Sequence, residues 1–495
     1  MTEDTERLNR TRAALQAAGL AGLVCRLSEN VLLLSGYWPM NGFALLVFPV
    51  EGEPILLAPE AEAHLAGGGW VKDVRTYPWG LVDSGDPFAS LSRLTRQAAA
   101  DLGLRGKPVG YEGSFEFVAA PYVCAEPGAI GGVTLGLLHA SVSGNLIDAT
   151  NLIHYLRGRK TPAEADKLRR ANAVAKLGLR AFAEAVVPGR SEVEIAAAVE
   201  SAINIGGTGY DGARHVRGFA WVLGGPNTAV AYRPHLASSA RALAEGELAL
   251  LELATVVDGW WSDLTRTRVA GKPRTEDLER WEAVIAAQAA DIEAIHPGVA
   301  ANQVDGAGRR LLEARGLGRH FIHHTGHGIG LRYHEPEPFL HPASTAPLEP
   351  GMVTSVEPGI YGPDWGMRCE DDVLVTPSGA TSAMTPLNSC PMITGGLTGY
   401  SPAWMCRSVQ QMQHALTSTM TCPGRSVGSG AASSRMPPGP VANLIRAFIQ
   451  GFPQYTRDVA RRLLLRCHPE RVGPVKCAAA RSQRRVSACR KEILR

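Results

Sequence analysis

Five carboxylate or imidazole side chains have types and contexts that suit metal-assisted hydrolysis. They lie at predicted strand ends or in Gly-rich turns, within LLELA, WSDLTRT, TGHGIG, TSVEPGIY and MRCEDD. Hard oxygen ligands, one or two of them bridging, hold two divalent ions about 3.5–4 Å apart and activate a shared water. The candidate ligands are Glu252, Asp263, His327, Glu357 and Glu370.

Each of these acids also admits an ordinary structural role. Asp263 could cap a turn, and Glu357 could be a solvated strand end. Glu370, followed by Asp371 and Asp372, could belong to a plain charged run. For one residue taken alone the structural role is as reasonable as the functional one, but all five in this order and context favour a metal centre.

Three competing motifs fail on their context. Segment 334–338 begins like the zinc motif H-E-x-x-H, but its fifth residue is Pro, and two prolines preclude the helix that this motif needs. Segment 325–330 lacks the G-x-G-x-x-G spacing and has no preceding parallel strand, which argues against a dinucleotide site. Segment 424–428 matches a nucleophile elbow in letters, but no strand precedes it.

Length and composition indicate a soluble globular protein. The 495 residues are enough for two or three domains, and 45% hydrophobic with 20% charged residues is typical of that class. The first residues contain no apolar signal segment, and no stretch is long enough to span a membrane. Nine cysteines at irregular spacings, without a C-x-x-C pair, argue against a zinc ribbon or a dense disulfide framework. We therefore expect a cytoplasmic protein without a membrane partner.

The two ends of the sequence differ strongly in charge. Residues 391–495 carry 16 basic and 3 acidic side chains, whereas residues 1–390 carry 34 basic and 44 acidic ones. Six of the nine cysteines also lie at or after Cys390. The chain therefore changes character near residue 390.

Periodicity and turn residues predict two folded regions before that point. A helix is expected at 5–18, and two apolar runs flank a hairpin turn at 51–53, as in a small α/β domain over residues 1–155. Thr161 should cap a long helix with Pro162 at its first position and Glu164 at its third. We place the domain boundary at this basic joint, and a second domain at 160–386.

The second domain is predicted to mix helices and strands. Helices are expected at 162–188, 191–205, 275–295 and 301–315, strands at 248–257 and from about Thr265, and strand-and-loop segments at 353–360 and 371–376.

Over residues 20 to 386 the sequence resembles the pita-bread metallopeptidases, most closely the prolidase and aminopeptidase P group. The motif E-N-V-x-x-L-x-G-Y is matched at 29–37, and L-R-x-x-K-T-P-x-E at 156–164. The resemblance implies an α/β (α+β) fold, in which a small creatinase-like N-terminal α/β domain precedes a pita-bread catalytic domain.

The resemblance also assigns roles to residues. The ordered ligands of the family, Asp, Asp, His, Glu and Glu, fall on the five positions above, with Glu252 in place of the first Asp. They would hold two divalent ions, Mn²⁺, Co²⁺ or Zn²⁺. His235, His334 and Glu357 would be catalytic, with the two histidines at the scissile carbonyl and Glu357 as proton acceptor. The substrate-binding residues would be His235, His323, His334 and Arg368, of which Arg368 could instead orient Glu370 and His323 could merely order its loop.

The activity implied is hydrolysis of the Xaa–Pro bond of dipeptides or short peptides by a metal-bridged hydroxide, in a homodimer. The peptide would carry proline at its second position. The alternatives are an aminopeptidase P acting on longer peptides, a non-peptidase enzyme on the same fold, as creatinase is, and a catalytically impaired binding protein. Retention of all the ligand positions weighs against the second alternative, and Glu252 alone supports the third.

Glu252 raises a question about the second ion. In the family pattern this ligand binds one ion only, while Asp263 and Glu370 bridge both. A Glu reaches one methylene further than an Asp, and ligand distances tolerate changes of only about 0.2 Å. We therefore expect the ion beside His327 and Glu357 to bind normally and the ion beside Glu252 to bind more loosely.

Residues 387–495 fall outside the family pattern. Segments 441–450 and 458–466 have helical periodicity, and the rest is rich in Ser, Pro, Gly, Arg and Cys. This tail could be a basic nucleic-acid-binding extension, a disordered appendage, or the product of a reading frame that differs from the family's after about residue 383. We favour the last two, and expect no nucleic-acid partner.

Overall fold

The computed structural model describes residues 3–40, 43–79, 85–113, 130–233 and 237–381. The predicted tail at 387–495, with its two helical segments, lies outside the described residues, and so does His235. Among the residues that are described, no helix has the length and apolar character needed to cross a bilayer.

The N-terminal region is built on a mixed six-stranded sheet. Its order is β4-β3-β2-β1-β5-β6, with antiparallel pairing from β1 through β3 and parallel pairing elsewhere. The predicted hairpin turn is confirmed, since β2 and β3 are adjacent and Gly52 between them has a φ of 95°. The strands are β1 (Gly22–Cys25), β2 (Leu45–Pro49), β3 (Ile55–Pro59), β4 (Asp73–Tyr77), β5 (Val109–Tyr111) and β6 (Leu146–Asp148).

Six α-helices accompany this sheet in the part of the N-terminal region that the structure describes. The first confirms the helix predicted at 5–18. The apolar run after residue 30 lies within the second helix. Seven of the eight residues of this helix are buried, so its sequence lacks the alternation of apolar and polar residues that would mark a solvent-facing side. The helices are α1 (Thr5–Ala17), α2 (Ser28–Ser35), α3 (Ala63–Ala66), α4 (Pro87–Asp101), α5 (Gly132–Val142) and α6 (Thr150–Gly158).

Four longer helices follow the joint. The predicted cap is confirmed: the backbone N–H of Glu164 donates to Thr161 Oγ1 (3.3 Å), and the Thr161 N–H donates to the Glu164 carboxylate (3.0 Å). The predicted helix limits agree with the structure to within three residues at each end. The helices are α7 (Pro162–Ala185), α8 (Glu192–Gly207), α9 (Thr275–Ala294) and α10 (Ala301–Ala314).

A three-stranded antiparallel sheet forms the centre of the second region. It consists of β7 (Val216–Gly224), β8 (Leu248–Val257) and β9 (Trp260–Val269). The strand β7 is absent from the sequence-based prediction. Between β8 and β9, Asp258 and Gly259 both have positive φ, 50° and 86°, as a two-residue type I′ turn requires.

This turn changes where two candidate ligands lie. Glu252 is the fifth residue of β8 and Asp263 is the fourth residue of β9, so both lie inside strands and not at strand ends as the sequence suggested. The physical reason is that the two-residue turn at Asp258 and Gly259 lets β9 begin at Trp260, five residues before the predicted start near Thr265.

The remaining strands form a five-stranded sheet, ordered β11-β10-β12-β15-β16, and a two-stranded one, both antiparallel. The predicted segments at 353–360 and 371–376 supply strands to them. The bounds are β10 (Gly326–Gly328), β11 (Glu335–Leu340), β12 (Val353–Val356), β13 (Gly359–Tyr361), β14 (Gly366–Arg368), β15 (Asp371–Thr376) and β16 (Gly379–Thr381). Short 3₁₀ helices lie at Glu60–Glu62, Tyr210–Gly212, Gly225–Val230 and Gly318–His320.

Candidate active site

Two of the predicted ligands project from one face of the β7–β8–β9 sheet. In the β8–β9 pairing, Glu252 is opposite Thr265 and Ala254 is opposite Asp263. Residues two apart on a strand share a face, as do residues directly opposite each other on paired strands. Both acids therefore lie on the same side of the hairpin.

The other three ligands come from the neighbouring sheets. His327 is in β10, Glu357 follows β12, and Glu370 lies between β14 and β15. Backbone hydrogen bonds fix two of them, since the Glu357 N–H donates to the Thr325 carbonyl (2.7 Å) and the Glu370 N–H donates to the Thr265 carbonyl (3.1 Å). The structure thus brings together all five residues that the sequence singled out.

The ligand atoms form overlapping groups, each within 4.8 Å. The groups are Glu252 with Asp263 and Glu370; His327 with Glu357 and Glu370; and Asp263 with His327 and His334. Glu370 belongs to the first two, so it occupies the bridging position between two three-ligand sets.

Unsatisfied buried atoms show that these residues fit cations. Both carboxylate oxygens of Asp263 and Oε1 of Glu370 are buried and accept no hydrogen bond within the described part of the chain. Each residue is 1% exposed. An isolated buried carboxylate is costly unless it is paired, hydrogen-bonded or bound to a metal, so this donor set suits divalent ions.

The tautomer of His327 also suits a ligand. Its Nδ1 lies 3.0 Å from the carbonyl oxygen of Gly328, and a carbonyl can only accept, so Nδ1 carries the proton. The lone pair of Nε2 therefore faces Asp263 Oδ2 at 3.6 Å and Glu357 Oε1 at 3.5 Å. This is the usual arrangement of a metal-binding imidazole held by a backbone carbonyl.

Crowding and burial shift the pKa values in the cluster. Burial, with repulsion from Glu370, raises the pKa of Asp263 and of Glu357 well above the ordinary range. Burial raises the pKa of Glu370 itself to about 7 and lowers that of His327 to about 3. Without cations, Glu370 therefore retains part of its proton near neutral pH.

We expect metal binding to strengthen as the pH rises from 6 to 8. A Glu370 pKa raised from 4.5 to about 7 means that the metal-free folded protein binds more protons than the unfolded one over that interval. Its stability therefore falls as the pH rises toward 7, while ions that must displace these protons bind more tightly. Thermal unfolding in chelator and in saturating Mn²⁺ should show a larger metal-induced rise in midpoint at pH 8 than at pH 6. An equal rise at both values would contradict this assignment.

Arg368 lies against Glu252. Its guanidinium forms an ion pair with the Glu252 carboxylate, and its Nε donates to Thr265 Oγ1 (3.0 Å). Thr265 Oγ1 is 2.7 Å from Glu370 Oε2 and 3.0 Å from Glu252 Oε2. The hydroxyl of Thr265 thus makes the contact with Glu370 that the resemblance suggested for Arg368. Arg368 itself contacts Glu252, the residue that departs from the family pattern.

Of the three predicted substrate-binding histidines, His323 and His334 lie within the residues that the structure describes. The ring of His334 lies 4.0 Å from that of His327 between centroids, and its Nδ1 is buried without a partner among the described residues. His323 Nε2 is 3.2 Å from the hydroxyl of Tyr361. Burial lowers the pKa of His334 well below its ordinary value and that of His323 to about 4, so both rings are neutral at physiological pH.

The structure adds three residues that the sequence reasoning missed. His324 Nε2 lies 3.9 Å from Glu357 Oε1, the Tyr361 hydroxyl accepts from Arg368 (2.9 Å), and Thr265 contacts two ligands. Thr265 could have been found, because it follows Asp263 by two residues in a strand and therefore shares its face. No sequence signal separates His324 from its neighbour.

Comparisons with known proteins agree with this geometry. Residues 166–377 match metallopeptidase family M24, and residues 7–122 match the Creatinase/Prolidase N-terminal domain. The Probable dipeptidase PepE of Mycobacterium tuberculosis is 34% identical over 396 residues, which cover 78% of this chain and 94% of that protein. The Xaa-Pro dipeptidase of Lactobacillus helveticus is 32% identical over 339 residues, covering 68% and 84%.

A solved structure shows the same fold. Dipeptidase PepE from Mycobacterium ulcerans superimposes with a TM-score of 0.60 at 33% sequence identity, covering 76% of this chain and 94% of that one. These matches confirm the predicted fold class, a creatinase-like N-terminal α/β domain followed by a pita-bread domain.

Proposed function

The chain belongs to metallopeptidase family M24, and we propose that it hydrolyses the Xaa–Pro bond of dipeptides or short peptides with the help of two divalent ions. The observation that carries the proposal is the pair of three-ligand groups sharing Glu370, with buried, unpartnered oxygens on Asp263 and Glu370. A relative named Xaa-Pro dipeptidase supports the choice of substrate.

Each of two ligand groups would bind one ion. Glu252, Asp263 and Glu370 would hold one, and His327, Glu357 and Glu370 the other, with Mn²⁺, Co²⁺ or Zn²⁺ as the candidates. When bound, these ions would supply Lewis acidity, which would polarise the substrate carbonyl and lower the pKa of a bound water.

Glu357 is proposed to move the proton. Its side chain is 12% exposed, whereas those of His327 and Asp263 are 1% exposed, so Glu357 is the more open of these three groups. Its carboxylate would accept the proton that the attacking water loses and deliver it to the leaving nitrogen of proline.

Neutral imidazoles are proposed to stabilise the charge that develops on the carbonyl oxygen. A neutral ring can donate one N–H, and His334 is held beside the ligand His327 with its Nδ1 uncommitted in the described structure. His235 would act with it, as the sequence resemblance implies. His323, next to Tyr361, and Arg368 would contact the substrate.

Three further properties are proposed on the basis of the sequence. The domain limits are 1–155 and 160–386, with a tail at 387–495; the protein is cytoplasmic; and it forms a homodimer. Cys25 is a buried free thiol within the described residues, which suits a reducing compartment.

A substrate panel tests the activity. We expect purified protein with added Mn²⁺, Co²⁺ or Zn²⁺ to release proline from Xaa–Pro dipeptides, to act little on matched Xaa–Ala dipeptides, and to lose activity in chelator. Proline release can be followed with chromatography. Failure to cleave any Xaa–Pro dipeptide or Xaa–Pro-containing tripeptide with these metals would overturn the proposal, and preference for tripeptides would favour the aminopeptidase alternative.

A further inference from the structure

The segment that carries His334 is held by buried ion pairs on both sides of the ring. We call residues 331–335 the His334 loop. Arg332, two residues before His334, forms an ion pair with Glu29 of α2. Glu335, directly after it, pairs with Arg157 and Lys160 of the joint between the two regions.

Glu335 uses both carboxylate oxygens in this arrangement. Oε1 accepts from Arg157 Nη2 (2.7 Å) and Nε (3.1 Å) and from the backbone N–H of Leu331 (3.0 Å), while Oε2 accepts from Lys160 Nζ (3.1 Å). Burial alone would raise its pKa, but Lys160 and Arg157 outweigh burial and lower the pKa of Glu335 to about 2. The Glu335 carboxylate therefore binds Leu331, the first residue of the His334 loop, and also binds Arg157 and Lys160 of the joint.

Arg157 joins the two sides of the loop. Its Nη1 lies 3.3 Å from Asn30 Oδ1 and 3.6 Å from Glu29 Oε1, so the guanidinium that binds Glu335 also reaches the carboxylate that binds Arg332. The result is one connected ionic cluster of residues that are each at most 6% exposed, namely Glu29, Arg157, Lys160, Arg332 and Glu335.

Such a cluster is a poor source of stability. Removing five charges from water costs much of what their attraction returns, and apolar side chains of similar volume often serve stability as well or better. What buried ion pairs with many directional contacts can provide is a single fixed geometry. The segment that this cluster holds carries the ring of His334, which lies against the tilted rings of His327 (4.0 Å between centroids) and Tyr333 (4.1 Å).

We propose that Glu29, Arg157 and Lys160 are positioning residues that fix the His334 ring through Arg332 and Glu335. This assigns a role to the two motifs of the N-terminal region that contribute no candidate metal ligand, E-N-V at 29–31 and L-R-x-x-K at 156–160. The inference rests on the proposed function, because it takes the catalytic role of His334 from there.

The test is a double-mutant cycle between Glu29 and His334. Glu29→Gln keeps the shape of the side chain and removes its charge, so it should lower kcat about fivefold, because displacements of about 1 Å at a reacting centre can cost up to a hundredfold. KM and Mn²⁺ stoichiometry should stay near wild type. In a His334→Ala background, the same change should lower kcat no further, because its effect passes through that ring.

A matched variant separates positioning from general destabilisation. Glu62 is also 6% exposed in the N-terminal region, and it accepts from the Tyr37 hydroxyl (2.6 Å) and the Met40 N–H (3.0 Å). Glu62→Gln should leave kcat unchanged even where it lowers the unfolding midpoint. If Glu29→Gln does not fold, Lys160→Met replaces it in the cycle, since Glu335 then retains Arg157.

A second readout does not depend on peptidase activity. Carbethoxylation of His334, followed by mass spectrometry of its peptide, should be faster in Glu29→Gln than in wild type and unchanged in Glu62→Gln. Equal kcat losses in both backgrounds, or an unchanged modification rate, would overturn the positioning role. An inactive wild type would overturn the proposed function and leave the modification result to decide the inference.

Discussion

Asp263→Asn is expected to abolish peptidase activity, lowering kcat/KM by about a thousandfold or more. Asp263 belongs to two of the three ligand groups, and both of its oxygens are buried without hydrogen-bond partners in the described structure. An amide is neutral and presents N–H donors where a cation would bind. Loss of the several kcal/mol that metal ions contribute to a hydrolytic transition state corresponds to that factor. Steady-state kinetics and metal content by mass spectrometry measure both effects.

Asp372→Asn is the matched control. Asp372 accepts from the Asp263 N–H (3.3 Å) and from Asn172 Nδ2 (2.8 Å), and burial raises its pKa to about 8. It is therefore largely protonated at neutral pH, and an amide is close to it in shape and charge. Asp372→Asn should therefore keep most of the activity and both ions. Wild-type activity in Asp263→Asn, in contrast, would contradict the assignment of Asp263 as a metal ligand.

Asp263→Asn should not destabilise the metal-free protein. Burial raises the pKa of Asp263, so at neutral pH the folded state bears the cost of charging or protonating it, and asparagine removes that cost. We expect the unfolding midpoint in chelator to equal or exceed that of wild type. Inactivation accompanied by a large fall in this midpoint would instead indicate misfolding.

Glu252→Asp is expected to tighten the second ion by about tenfold to a hundredfold, the range in which partners of metal ligands usually act. The wild-type carboxylate pairs with Arg368, and its Oε2 also lies 3.0 Å from Thr265 Oγ1. That oxygen is thus committed to the guanidinium. An Asp is one methylene shorter, so it should give up part of this contact and match the reach of the family's usual ligand. Activity should be unchanged or higher.

Metal titration by calorimetry decides the question. Wild type should show one tight and one looser Mn²⁺ site, Glu252→Asp two sites of similar strength, and Glu252→Gln, which keeps the length without the charge, no measurable second site. Two equally tight wild-type sites, together with an inactive Glu252→Asp, would mean that the pocket has adapted to the longer side chain.

The first helix, the four long helices after the joint and the hairpin at 51–53 could be predicted from the sequence, because their signals are local. The cap at Thr161 and the period of the four long helices gave limits within a few residues. The strand β7 could not be found in this way. Its VRGFAWVLG run includes two glycines and a basic residue, and its place is decided by pairing with β8 over nine residues. Long-range pairing of this kind leaves little trace in a single sequence.

The five candidate ligands could be singled out because their residue types suit divalent ions and their order matches the family pattern. Their partners could not, since a hydrogen bond between residues far apart in sequence has no local signature. Arg368 illustrates this: its position two residues before Glu370 suggested a contact there, but the sheets bring its guanidinium to Glu252 and place Thr265 between it and Glu370. The buried cluster around the His334 loop, which joins residues more than 300 positions apart, is a second example.

The turn at Asp258 and Gly259 has a consequence for how such chains diverge. Because its two residues set the β8–β9 register, they also decide that Glu252 and Asp263 point to the same side. One extra residue in β9 between the turn and Asp263 would rotate that acid to the opposite face while leaving every ligand in the sequence. The length of this turn therefore decides whether the two acids meet, and an alignment that counts acidic residues but overlooks a gap at this hairpin would misjudge which relatives keep them on one face.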